Sequence, residues 1–143
     1  MDNRYTIRPA TPDDYADICQ ILAENGFDET VEAESFLKAK VNPELFIVQE
    51  LNNTVGLIIY EPVNENTVQI DWYLKEKFSH KNLGTYLTRT MSEEVLNKGL
   101  DCQFTVSTGN PAKLSIVRKL GFTRVSGSLK QAVYLKKKPD RTT

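Results

Sequence analysis

Two hydrophobic periods run through the chain, and the places where one gives way to the other divide it into elements. Tyr5 to Arg8 reads as a short strand, after which Thr11 can cap a helix whose first turn takes Pro12. Tyr15, Ile18, Ile21 and Leu22 then recur at helical spacing until Asn25-Gly26 stops them. A second short helix is predicted from about Val31 to Lys40, ending before Asn42-Pro43. Three strand patterns follow, Leu45–Leu51, Thr54–Tyr60 and Thr67–Leu74, with Asn52-Asn53 and Asn64-Glu65-Asn66 supplying turn residues. Such short connections predict an antiparallel meander. Beyond it the order becomes helix, strand, helix. Leu83, Leu87, Met91 and Val95 form a helical stripe ending at Lys98-Gly99, Cys102–Ser107 suits a strand, and Asn110-Pro111 opens a helix that Gly121 closes. Strands near Thr123–Val125 and Gln131–Lys136 complete the pattern, with no internal repeat.

At 143 residues, 40% apolar and 26% charged, the chain reads as one globular domain over residues 1–136, followed by a solvated charged tail over 137–143. Eighteen basic and nineteen acidic residues leave a net charge of −1, which lacks the basic excess of nucleic-acid or anionic-membrane binders. The longest apolar run, Val55 to Tyr60, is far short of a membrane span, and Met1-Asp2-Asn3-Arg4 opens no signal peptide, so a cytoplasmic protein is expected. Cys19 and Cys102 form no close-spaced motif, and His80 is the single histidine; neither a zinc site nor a disulfide framework is indicated. No metal is expected.

The segment Ile70-Asp71-Trp72-Tyr73-Leu74, then Lys75 to Asn82, then Leu83-Gly84-Thr85-Tyr86-Leu87, reads as a strand, a polar loop and a helix. The first N–H groups of that helix lack intrahelical acceptors and point at the loop, an arrangement suited to a pyrophosphate. Gly84 lets a ligand approach the backbone, and Asn82 is the non-glycine type that best tolerates a left-handed conformation. The spacing fits neither a Walker loop nor a dinucleotide fingerprint, and an ordinary strand-loop-helix turn is the competing reading.

The segment Asn110-Pro111-Ala112-Lys113-Leu114-Ser115-Ile116-Val117-Arg118-Lys119-Leu120-Gly121-Phe122 adds a second signal. Here the sequence resembles the GNAT superfamily of acyl-CoA-dependent N-acetyltransferases, whose last helix starts at an Asn and ends in Leu-Gly-Phe. Tyr5-Thr6-Ile7-Arg8-Pro9-Ala10 with Asp14 looks like the family's opening, so the resemblance covers nearly the whole chain. It implies an α/β fold with a mixed, mostly antiparallel central sheet of about six to seven strands and about four helices on its two faces. It also implies acetyl-CoA as co-substrate. By this resemblance the main chain of Trp72, Tyr73 and Leu74 would pair with the pantetheine arm, and Asn110 and Lys113 would line it from the other side. His80, Lys81, Asn82, Leu83, Gly84 and Thr85 would surround the pyrophosphate, with Lys77 as a further donor.

Three departures accompany the resemblance. The family's Arg or Gln at the head of its cofactor loop is Ser79, its middle Gly is Asn82, and its usual thiolate-protonating Tyr is Val117. Tyr73 and Tyr134 are the available substitutes, each with packing as its plainer role, and Ser115 is closer in sequence and no better supported. An attacking amine must lose a proton, and Asp71, sharing a strand face with Gln69 and Tyr73, is the candidate base, with a structural carboxylate as the alternative. Asp71 and Tyr73 are thus the candidate catalytic residues. Glu24, Asp28, Glu29, Glu32 and Glu34 form an acidic stretch that could attract a cationic amine or simply be a solvated face, and Trp72 could wall the acceptor pocket.

The function expected is acetyl transfer from acetyl-CoA to a primary amine of a small molecule or a protein, by direct attack in a ternary complex, by a monomer or homodimer. Cys102, inside a strand, is a poor nucleophile. Two alternatives stand beside it: a GNAT-fold module that senses acyl-CoA or engages a partner without turnover, and a scaffold that has lost CoA binding.

Overall fold

A computed structural model describes residues 4–27, 34–35, 37–38, 43–78 and 82–139. The elements with defined bounds are β1 (Tyr5–Pro9), α1 (Tyr15–Glu24), β2 (Glu44–Glu50), β3 (Asn53–Asn64), β4 (Thr67–Leu74), α2 (Leu83–Asn97), β5 (Asp101–Ser107), α3 (Pro111–Lys119), β6 (Thr123–Gly127) and β7 (Gln131–Lys136). The strands form one seven-stranded sheet in the order β1-β2-β3-β4-β5-β7-β6. β1 with β2, β2 with β3, β5 with β7 and β6 with β7 pair antiparallel, while β4 and β5 run parallel. The mixed, mostly antiparallel sheet is as expected. Of the fourth expected helix only Glu34, Ser35, Leu37 and Lys38 are described, and these are helical, so three α-helices have bounds among the described residues.

The chain divides into two compact units, one of Met1–Glu61 with Trp72–Lys81 and one of Pro62–Asp71 with Asn82–Thr143. In the first, the predicted α1 stripe does what its spacing implies: Ile18, Ile21 and Leu22 bury against Ile47 of β2 and Leu57 and Ile59 of β3. Thr11 caps the turn before α1, its N–H donating to Asp14 Oδ2 at 2.8 Å, and Arg8 donates to both Asp14 oxygens at 2.8 Å. Gly56 is required where β3 passes β4, because a Cβ there would lie 3.0 Å from the Tyr73 carbonyl and 2.8 Å from Leu74 Cδ2.

Two expectations in this unit need correction. The β2–β3 turn is centred on Leu51-Asn52, one residue earlier than Asn52-Asn53, because a bulge at Val48/Gln49 shifts the register. Leu51 takes the left-handed φ of 56°, a conformation a branched side chain adopts at a cost. β3 also runs four residues past Tyr60, through Glu61-Pro62-Val63-Asn64.

In the second unit α2 and α3 both pack on β5, whose Cys102, Phe104 and Val106 are buried. The Leu-Gly-Phe ending of α3 has a local cause. Gly121 takes φ 92°, its N–H donates to the Arg118 carbonyl at 3.1 Å, and the Phe122 N–H donates to Val117 at 3.0 Å. This is a Schellman motif, and it turns Phe122 under the sheet to meet Phe104 edge-on at 5.3 Å. Lys136 of β7 donates to the last carbonyl, Leu120 O, at 2.9 Å. β6 is two residues longer than read. Of the tail, Lys137, Lys138 and Pro139 are exposed, yet the Lys138 N–H is tied to Asp101 at 2.8 Å.

Candidate active site

The start of α2 is built as the sequence suggested. Asn82 is its N-cap and takes the left-handed φ of 56° and ψ of 11°, so its side chain makes no capping hydrogen bond. The first backbone bond of the helix runs from Tyr86 N–H to the Asn82 carbonyl at 3.2 Å. Helix geometry therefore leaves the N–H groups of Leu83, Gly84 and Thr85 without intrahelical acceptors, and no acidic residue stands in that turn to oppose an anion. Leu83 and Gly84 are buried, and Thr88 Oγ1 donates to the Gly84 carbonyl at 2.7 Å. Ser79, His80 and Lys81 lie outside the described residues.

α3 starts differently. Asn110 Oδ1 accepts from the Lys113 N–H at 3.1 Å, so the Asn caps its own helix, the plainer of its two readings. Lys113 is half-buried, and burial pulls its ammonium down from 10.5 to about 8, a fall that the nearby Asp71 carboxylate resists.

Asp71 itself is buried on β4. β4 and β5 are laddered over Thr67–Gln69 and Asp101–Gln103. One step along, the Gln69 side chain gathers a polar cluster: its Oε1 accepts from Gln103 Nε2 and from Thr105 Oγ1, each at 2.8 Å. Its Nε2 in turn donates to Asp71 Oδ2 over a long 3.5 Å. Gln69 and Asp71 thus share a strand face, as the alternation requires. Gln103 and Thr105 were missed in the sequence, since nothing local marks them; only the parallel register Gln69↔Gln103 brings them in.

Trp72, Tyr73 and Leu74 belong to the other compact unit. Trp72 is half-buried. Tyr73 packs against the α1 cluster and meets Phe27 edge-on at 6.1 Å. Leu74 is buried, and its carbonyl accepts from Asn25 Nδ2 at 2.9 Å. In the same unit a cavity of about 650 Å³ is lined by Gln20, Glu24, Lys75, Glu76 and Lys77. Its charges are of both signs. Glu24 is occupied by the Glu76 N–H at 2.8 Å and Glu34 accepts from the Tyr15 hydroxyl; Asp28, Glu29 and Glu32 lie outside the described residues.

Val117 is buried, while Ser115 is exposed. Tyr134 is buried with its hydroxyl accepting from Arg118 Nε at 3.0 Å, a packing role. Burial pushes the Cys102 thiol up to about 12, which keeps it protonated and unreactive. Among the described residues no group of three or more His, Cys, Asp or Glu side chains is arranged to hold a metal. No helix among them is long and apolar enough to cross a membrane.

This fold is shared with solved acetyltransferase structures. yncA of Salmonella typhimurium, solved with its cofactor acetyl-CoA, is 19% identical with a TM-score of 0.75, covering 99% of this chain and 98% of its own. PseH, an N-acetyltransferase of Campylobacter jejuni solved with acetyl coenzyme A, is 15% identical with a TM-score of 0.72, covering 94% of this chain and 99% of its own. A mutant of the spermidine N-acetyltransferase SpeG of Vibrio cholerae is 14% identical with a TM-score of 0.70, covering 94% and 93%. Among curated proteins none matches the sequence significantly. The profile of the acetyltransferase (GNAT) domain matches residues 4–123, and the chain belongs to that family.

Proposed function

We propose that the chain is an N-acetyltransferase of one domain, residues 1–136 with a charged tail over 137–143, moving an acetyl group from acetyl-CoA to a primary amine. The observation that carries this reading is the start of α2, where a left-handed Asn82 makes no side-chain capping bond and the first turn holds no acidic residue. These residues fit a pyrophosphate: Leu83, Gly84 and Thr85 offer N–H donors and the helix dipole adds positive potential. The bound thioester supplies the activated acyl group. Asp71 accepts the proton that the amine nitrogen loses as it attacks, and Lys113 contributes positive charge in the same compact unit. Asn110 and Lys113, at the start of α3 in that unit, line the remainder of the cofactor. Tyr73 on β4 is the candidate proton donor to the departing thiolate.

The acceptor is a small-molecule or protein amine, attacked directly as the family resemblance implies, and the buried Cys102 is a poor covalent nucleophile. The test is to incubate the protein with acetyl-CoA and a panel of polyamines, amino acids and N-terminal peptides while following thiol release, with CoA affinity measured calorimetrically. Amine-dependent release supports the proposal. CoA binding with no turnover on any amine would overturn the enzymatic part, and no CoA binding would overturn the whole.

A further inference from the structure

The cluster around Gln69 has no part in the chemistry so far, yet its hydrogen bonds fix which way one amide faces. Thr105 Oγ1 and Gln103 Nε2 both approach Gln69 Oε1 at 2.8 Å. An amide oxygen can accept two such bonds, and with both made, the NH₂ group of Gln69 is left on the side of Asp71. The 3.5 Å contact from Nε2 to Asp71 Oδ2 is that remaining side. Turned the other way, the amide would set its oxygen against the carboxylate, and Gln103 and Thr105 would both have to turn from donating to accepting. β5 therefore acts on Asp71 through the side chain of Gln69, from a register that pairs Gln69 with Gln103.

We propose that Gln69, locked by Gln103 and Thr105, is a positioning residue that holds Asp71 oriented and ionised for accepting the proton of the attacking amine. The proposal rests on the reading of Asp71 as the base. A donor aimed at a carboxylate favours its charged form, so the brace acts in the direction a base requires. Among the described residues, Lys113 of α3 also acts on Asp71 through its charge and favours the same form. Gln69 carries no charge, so its effect can be separated from that of Lys113 by substitution.

The experiment is the pH dependence of amine acetylation in the full chain for wild type, Gln69→Met, Thr105→Val, Lys113→Met and Asp71→Asn. Gln69→Met is expected to move the acid limb of kcat/KM up by about 0.5–1 pH unit, which is about a three- to tenfold loss on that limb, with CoA affinity unchanged. Thr105→Val moves it the same way and less, because one anchor of the amide remains. In an Asp71→Asn background Gln69→Met has no further effect. A uniform loss at all pH values, tracking a lowered melting temperature, would overturn the brace and leave a packing role. If Asp71→Asn keeps wild-type rate, the base reading itself falls and takes the brace with it. If Asp71→Asn is slow and Gln69→Met keeps the wild-type profile, only the brace falls. Gln69→Glu provides the check against misfolding: it keeps the shape and acceptor oxygens, sets a second carboxylate beside Asp71, and is expected to move the limb further than Gln69→Met.

Discussion

At the residue scale the proposed chemistry turns on two positions, Asp71 and Val117. Asp71→Asn keeps the shape of the side chain and removes its basicity, so turnover is expected to fall by roughly 10²–10⁴-fold with CoA affinity little changed. Steady-state rates beside calorimetry check this, and a rate equal to wild type at pH 7 would return Asp71 to a structural role. Val117 is buried, at the position to which the resemblance assigns the family's tyrosine, and its carbonyl closes the Schellman motif through Phe122. A thiolate is a tolerable leaving group, since a thiol has a pKa near ~8.5, so a missing acid slows the reaction without forbidding it. Val117→Tyr is therefore expected to raise kcat by less than ~10²-fold, the added phenol having no supporting shell. Forcing a ring into a filled position costs about 1–3 kcal/mol, so melting temperature is measured beside the rate. A stable variant with intact CoA binding and no gain in kcat would show that protonation of the thiolate is not limiting.

At the scale of elements, two helix termini carry testable consequences. At α2, Gly84→Val puts a branched side chain where the ligand must approach the backbone, and CoA binding is expected to be lost while helical content stays at the wild-type level by circular dichroism. Unchanged affinity in the folded variant would move the cofactor elsewhere. At the end of α3, Gly121→Ala meets no steric obstacle, its Cβ lying 3.7 Å from Lys136 Cε and Nζ, but φ of 92° is strained for any L side chain. A loss of about 1–2 kcal/mol in urea denaturation is expected, with CoA affinity unaffected. Both termini were legible in the sequence because their causes are local: Asn82 and Gly121 are the residue types that take positive φ. The β2–β3 turn was not, because Asn52 and Asn53 offered better turn chemistry than Leu51 and the bulge that overrode them arises from pairing with β3. The Gln69 cluster was illegible for the same reason at longer range, as Gln103 and Thr105 are 34 and 36 residues away along the chain. Strand and helix periods report local geometry, whereas register is settled between elements.

At the scale of the whole molecule, three groups among the described residues link stability to pH through burial and pairing. Arg8 and the Thr11 N–H hold the Asp14 carboxyl well below its ordinary 3.8, the hydrogen bond from Arg8 being the largest cause. A depressed carboxyl contributes stability that is fully present above the unfolded value and is lost as pH falls below about 3.8. Lys113 acts oppositely: burial lowers it from 10.5 to about 8, so its charge is a burden at neutral pH that is relieved as pH rises from 8 toward 10.5. Cys102, pushed up from 9.0 to about 12, costs stability above pH 9, where the unfolded thiol ionises and the folded one does not. The urea midpoint is thus expected to fall steeply below about pH 4 and to change little between about pH 9 and pH 10.5, where the Lys113 and Cys102 contributions oppose each other. Arg8→Met should flatten the acid limb alone. Arg8 is 38% exposed while Asp14 is 7% exposed, so solvent screens the pair, and the loss expected at pH 7 is about 1 kcal/mol. An acid limb as steep in Arg8→Met as in wild type would mean that other carboxylates, and not the pair joining β1 to the turn before α1, govern unfolding in acid.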